Sequence, residues 1–244
     1  MKYIKILETF LIEARIEEGI NDPGILKAFF MAGGPGSGKS YVAGSLFGME
    51  EGSASSVSYD TGLKLVNSDN AFEILLRKAK IDMAELMNLK DDPEKWEEAM
   101  RLRDKAKKIT KGTQKLYIEG KLGMIIDGTG KNYSKIETQV KELRDLGYDC
   151  YMVFVNTSKE VALDRNNNRA RKLPVDMVSQ MWQEVQNNIG KFQRLFKSKR
   201  FEIVDNSKYG DNTPIDLVGK EIRKFMSQPV SNPIGKQWVN AQKK

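Results

Sequence analysis

The sequence predicts an α/β fold: a five-stranded parallel sheet with helices on both faces, preceded by one N-terminal helix. Three observations predict it. Five short apolar runs, at about 25–32, 63–67, 124–127, 149–156 and 201–205, read as strands, those richest in apolar residues as strands buried on both faces. Stretches of helical period separate them. Between the first run and the first of those helices stands Gly33-Gly34-Pro35-Gly36-Ser37-Gly38-Lys39-Ser40. It fits G-x-x-x-x-G-K-[ST] without departure, in the strand–loop–helix context that pattern requires.

Taken in order, residues 2–18 read as an amphipathic helix, with Tyr3, Ile6, Leu7, Phe10, Leu11 and Ala14 on one face. Asn21-Asp22-Pro23-Gly24 ends it as a turn cluster. The first strand, the glycine-rich loop and a helix over Tyr41–Phe47 follow. Gly48 to Gly62 is rich in Gly, Ser and acidic residues and reads as a mobile loop. After the second strand, Ser68-Asp69 opens a helix running over Ala71–Lys80. Asp91-Asp92-Pro93-Glu94 starts a long charged helix reaching about Glu119, with a candidate break at Gly112. Further helices are expected over Tyr133–Leu146, Ser158–Arg169, Pro174 to about Lys197, and Thr213 to about Ser227. This divides the chain into a helix (1–22), a main domain (23–227) and a tail (228–244). The tail is expected to be mostly unstructured, with Trp238 able to anchor it.

Composition narrows the chemistry. There is no histidine, so Ser-His-Asp catalysis and most transition-metal sites are excluded. The single cysteine, Cys150, excludes an internal disulfide, fits a reducing, cytoplasmic location and sits in an apolar run suited to core packing. No apolar run reaches the ~20 residues of a membrane helix, and no secretory signal is visible at the N-terminus. The net charge of +7 favours an anionic partner.

The glycine-rich loop is a phosphate cradle. Its glycines let backbone N–H groups turn toward one point, and the helix N-terminus adds positive potential there. Lys39 is expected to reach the β- and γ-phosphates of ATP, and the Ser40 hydroxyl to ligate Mg²⁺. Gly33, Gly34, Pro35, Gly36, Ser37, Gly38, Lys39, Ser40, Tyr41 and Arg171 are the candidate cofactor-binding residues. Asp69, at the end of the second strand, is a candidate base for a substrate hydroxyl, and Ser68 or Asp69 can also cap the following helix. Asp127, ending the third strand, serves Mg²⁺ through water or a substrate-binding arginine. Arg165, Arg169 and Arg171 precede Pro174 as a candidate lid, with Arg165 and Arg169 on one helical face to stabilise transition-state charge.

These segments together resemble a known group. The phosphate loop, Asn67-Ser68-Asp69, Asp127-Gly128-Thr129 and Arg165-Asn166-Asn167-Asn168-Arg169 with Leu173-Pro174 look like the polynucleotide-kinase and zeta-toxin group of P-loop kinases over about residues 25–205. The resemblance implies an ATP- and Mg²⁺-dependent kinase. Asp69 would be its base, Arg165 and Arg169 its lid arginines, and a hydroxyl on a polynucleotide 5′ end or a nucleotide-like molecule its acceptor. Zeta toxins imply a UDP-amino sugar instead. Two departures stand out: Tyr41, where a small residue is usual, and Ser68, where many nucleic-acid-acting relatives carry a basic residue. Leu11-Ile12-Glu13 is similar to the cleaved tripeptide of capsid-targeting segments in large tailed phages. That likeness implies phage origin and a host-cytoplasmic or virion location; the first helix itself either packs on the domain or docks on a protein partner. A nucleotide-dependent binding module without an acceptor is the reading from another class.

Overall fold

The computed structural model describes residues 19–49, 57–58, 61–83, 86, 88–169 and 172–243. The N-terminal helix expected over 2–18, the Leu11-Ile12-Glu13 tripeptide, most of the loop expected at 48–62, and Arg171 lie outside the described residues.

The strands are β1 (Lys27–Ala32), β2 (Lys64–Val66), β3 (Met124–Asp127), β4 (Asp149–Asn156) and β5 (Phe201–Asp205). They form one sheet in the order β2-β3-β1-β4-β5, every neighbouring pair parallel. The helices are α1 (Lys39–Phe47), α2 (Ser68–Lys78), α3 (Pro93–Glu119), α4 (Tyr133–Asp145), α5 (Lys159–Asn168), α6 (Val175–Gln186), α7 (Ile189–Phe196), α8 (Thr213–Ser227) and α9 (Pro233–Gln242).

The two-residue period of the central strands sorts the core. Ala28, Phe30, Met124, Ile126, Met152 and Phe154 face one layer, closed by Val140 of α4 and by Phe192 and Phe196 of α7. Phe29, Met31, Ile125, Tyr151, Val153 and Val155 face the other, closed by Val42 and Phe47 of α1 and by Val218, Ile222 and Phe225 of α8. Burying each large apolar side chain of this kind contributes roughly 1.5–3 kcal/mol, so both faces hold the sheet flat against its helices. Phe72 and Leu76 of α2 form a smaller core with Ala99 and Ala106 of α3. Cys150 is buried in the first layer, as its apolar run implies.

Three local expectations need correction. The helix expected from Pro174 to about Lys197 is two helices, α6 and α7, parted at Asn187 and Asn188. The buried Asn188 amide donates to the Gly130 and Lys131 carbonyls (3.0 and 2.8 Å), which ties the junction to the turn after β3. The tail is not unstructured: residues 233–242 form α9. Asn232 caps it, accepting from the Ile234 amide (3.0 Å) while its own amide donates to the Arg144 and Tyr148 carbonyls (2.8 and 3.2 Å). Trp238 packs against the first core layer, anchoring the helix as expected. Gly112 does not break α3, which runs uninterrupted.

Parallel strands put their carboxyl ends on one side. The chain leaves β1 toward β2 and leaves β4 toward β5, in opposite directions, so a crevice opens above these neighbours. Ligands of open α/β sheets bind at such a switch point. The glycine-rich loop follows β1 at this place.

Candidate functional site

The loop is shaped by positions that only glycine fills. Gly36 and Gly38 hold left-handed backbone, at φ 76° and 77°. A Cβ on Gly36 would run into the Ala162 carbonyl of α5, and one on Gly38 into the Asn206 amide. Both restrictions come from elements distant in sequence, so the loop is clamped between α5 and the end of β5. Asn206 is buried, and its amide donates to the Ser37 carbonyl at 2.8 Å. The Arg165 guanidinium donates to the Gly36 and Ser37 carbonyls, both at 3.3 Å, and lies 4.8 Å from the centre of the Tyr209 ring.

With its carbonyls engaged from behind, the loop keeps its donors free. The amides of Gly36, Gly38, Lys39 and Ser40 complete no hydrogen bond among the described residues. The Ser37 hydroxyl is buried and likewise without a partner. A cluster of open N–H groups at a helix N-terminus is what phosphate oxygens satisfy.

Lys39 does not stand alone. Its ammonium pairs with the Asp127 carboxylate at the end of β3, both side chains mostly buried. The other Asp127 oxygen accepts from the Asn67 amide at 2.8 Å. The Asn67 carbonyl oxygen in turn accepts from the Asp69 backbone N–H at 2.7 Å, which caps α2. One line of contacts therefore joins the base candidate, the carboxylate and the phosphate lysine across the ends of β2, β3 and β1. Asn67 is the residue that sequence reasoning missed. Its signal was its place between a strand and a helix, where Asn favours the cap. The cap is Asn67, so the capping role expected for Ser68 or Asp69 is corrected. The Asp69 carboxylate is exposed in the first turn, engaged by no other described residue.

The arginine segment is also revised. Helix α5 ends at Asn168, and Arg169 is extended (φ −92°, ψ 153°), so Arg165 and Arg169 do not share a helical face. Asn166 supplies the reason. It is 1% exposed, and its amide exchanges two hydrogen bonds with the Leu173 backbone, at 2.8 and 3.0 Å. These bonds draw Leu173 back to α5, just beyond Arg169. Helix α6 is tied to the end of β4: Trp182 donates to the Thr157 carbonyl (2.9 Å) and Gln186 to the Asn156 side chain (2.8 Å). Tyr41 is half exposed and donates to Asn212 ahead of α8 (2.8 Å), on the rim rather than inside the loop.

For a metal, the donors are Ser40, whose side chain is exposed, and Asp127. No group of three or more acidic or cysteine ligands exists among the described residues. One hydroxyl and one carboxylate suit Mg²⁺, which keeps several waters and takes its remaining oxygens from substrate phosphates. They do not suit an ion held by protein alone.

A family model described as an AAA domain matches residues 29–191, more than half of the chain. The chain belongs to that family. The match takes in most of β1, the phosphate loop, Asp69, Asp127 and the arginine segment. No sequence match to a curated protein was found. Among solved structures, the fold is similar to that of the AvrRxo1-ORF1:AvrRxo1-ORF2 complex with sulphate ions, at 13% identity and a TM-score of 0.56, over 85% of this chain. The chain spans 64% of that neighbour. It is also similar to the PezAT toxin–antitoxin system of Streptococcus pneumoniae, at 13% identity and a TM-score of 0.52, over 83% of this chain and 87% of that one. At such identity the likeness is one of fold alone. No helix among the described residues is long and apolar enough to cross a membrane.

Proposed function

We propose that this chain is an ATP- and Mg²⁺-dependent kinase that transfers the γ-phosphoryl group to a hydroxyl, on a polynucleotide 5′ end or a nucleotide-like molecule. The observation that carries the reading is the line Asp69–Asn67–Asp127–Lys39 beside open loop amides. Phosphoryl transfer asks the protein for positioning, charge neutralisation and a proton acceptor, and each has a candidate here.

The loop amides and Lys39 bind the β- and γ-phosphates. To do so Lys39 exchanges Asp127 for phosphate, and the freed Asp127, with Ser40, would hold Mg²⁺, which would supply neutralisation of phosphate charge. Asp69 accepts the proton of the acceptor hydroxyl as its oxygen bonds to the γ-phosphorus and the bond to the ADP oxygen breaks. Arg165 holds the loop from behind. Arg169, just past the end of α5, would supply positive charge to the transferring group.

The resemblance of the motif segments to zeta toxins supports a second acceptor, a UDP-amino sugar, and the PezAT toxin–antitoxin structure shares the fold. The test is incubation with Mg²⁺ and γ-labelled ATP and a panel of 5′-hydroxyl DNA and RNA, nucleosides, nucleoside monophosphates and UDP-sugars. Label on a 5′ end or nucleotide, absent with Asp69→Ala, is the expected outcome. Label on a sugar nucleotide moves the acceptor to the second reading. Free phosphate alone overturns both and leaves a nucleotide-dependent binding module.

A further inference from the structure

At the end of the sheet opposite the phosphate loop, a cavity of about 510 Å³ opens among the start of β5, the turn Ser198–Arg200 and the last turns of α8. Tyr151, Lys199, Glu202, Glu221, Lys224 and Phe225 form most of its wall. It lies outside everything the proposed reaction uses.

The charges in its wall are unequally satisfied. Arg200 is committed elsewhere: it pairs with the buried Asp149 at 2.9 Å, bonds Ser231, and lies against the Phe225 ring. Among the described residues, the one ion pair of Glu221 is an exposed one with Lys224 at 3.6 Å. Such a pair is weak and easily exchanged. Glu202, partly buried, has no ion pair among the described residues. Tyr151 is 1% exposed, and its hydroxyl lies near the Glu202 carboxylate but completes no hydrogen bond of normal geometry among the described residues. A buried polar atom left open is costly, and one turned toward a cavity calls for a ligand. Burial and the facing charges of Glu202 and Glu221 hold the Tyr151 phenol well above its ordinary ionisation range. Burial and Glu221 likewise raise Glu202. The phenol is therefore neutral, and Glu202 and Glu221 bring carboxyl oxygens to its side of the cavity.

We infer that this cavity binds a protonated primary amine, whose three N–H groups are shared among Glu202, Glu221 and the Tyr151 hydroxyl. An ammonium group has three donors and no acceptor, which matches three oxygens converging from two strands and a helix. The amine belongs to a small molecule, either a diamine or an amino acid whose carboxylate meets the Lys199 and Lys224 rim.

Putrescine, 4-aminobutyrate and butyrate, which share a four-carbon skeleton, separate the sources. Each is titrated into the full-length protein by calorimetry and by thermal unfolding. Saturable binding of one amine, with a raised Tm and no response to butyrate, is expected. Preference for putrescine identifies a diamine site, and preference for 4-aminobutyrate an amino-acid site. Glu202→Gln and Tyr151→Phe are each expected to weaken binding by about tenfold or more, the scale of a lost hydrogen bond to a charged group. Lys39→Ala, at the distant phosphate loop, leaves it unchanged. Tyr151→Phe removes an unpartnered hydroxyl, so it folds at least as stably as the parent. If neither amine binds at about 10 mM, or if Glu202→Gln binds as the parent does, the inference is overturned.

Discussion

Asp69 sits exposed in the first turn of α2 with its carboxylate engaged by no described residue, although its backbone is fixed by Asn67. A base needs this combination, a free proton acceptor on a held backbone. Asp69→Ala is therefore expected to bind ATP as the parent does and to lose transfer by about 10²–10⁴-fold, the usual worth of general-base catalysis. Equilibrium nucleotide binding beside a label-transfer assay checks it; collapse of ATP binding would instead make Asp69 a metal ligand. Asn67 does two jobs that substitution can part. Asn67→Ala removes both cap and bridge, and should lower stability by about 1 kcal/mol as well as slow transfer. Asn67→Ser keeps a capping oxygen but has no amide to give Asp127. Near-parental stability with slowed transfer is the expected result, and parental transfer would show the Asp127 contact to be idle. The motif residues were legible in the sequence because their spacing is local. Asn67 was not, because its second partner is 60 residues away.

Among the elements, the junction of α6 and α7 shows how one buried side chain overrides a helical pattern. Sequence periodicity reads straight through from Pro174 toward Lys197, yet Asn188 leaves the helix to satisfy two carbonyls of the turn after β3. That turn follows Asp127 directly, so the junction supports the site from below. Asn188→Ala strands two carbonyls and is expected to cost about 1–3 kcal/mol. Urea unfolding measures it; a midpoint unmoved from the parent would mean that water replaces the amide freely. The segment between Asn166 and Leu173 works in a similar way. Three successive asparagines are poor helix formers, and the one that is buried bonds the returning chain instead of the helix. Arg169 thus stands in extended backbone beyond the helix, where no helical wheel could place it.

Across the whole molecule, the end of the sheet away from the site carries a buried lysine. Lys27 is 1% exposed in β1 and donates to the Met226 and Gln228 carbonyls, which ties the central strand to the end of α8. Burial pushes its ammonium down to about 8 from an ordinary 10.5, against the partly opposing pull of Asp149. Between those values the unfolded chain holds a proton that the folded chain has shed, so stability gained at this site rises with pH across that window. Below it, the cost of burying the charge is felt in full. Lys27→Met lacks this titration. The stability of the parent relative to Lys27→Met is expected to rise from about pH 7 to about pH 10, as denaturant unfolding would show. A flat difference would mean that the carbonyls keep Lys27 charged throughout.

The sequence by itself determined the strand count, the phosphate loop and its helix, and the acidic residues at the ends of β2 and β3. Each of these is written in a period of two or about 3.6 residues, or in a short fixed spacing, and so needs no distant partner. Only the tertiary structure decided the strand order β2-β3-β1-β4-β5, which sets the crevice at β1 and β4. It alone decided that Asn67 joins Asp69 to Asp127, that Asn188 divides a helix, and that residues 233–242 are helical. The deciding hydrogen bonds link residues 60, 58 and 88 positions apart. Side-chain amides cause these departures because a buried amide must find partners wherever the fold brings them, and local spacing carries no record of that place.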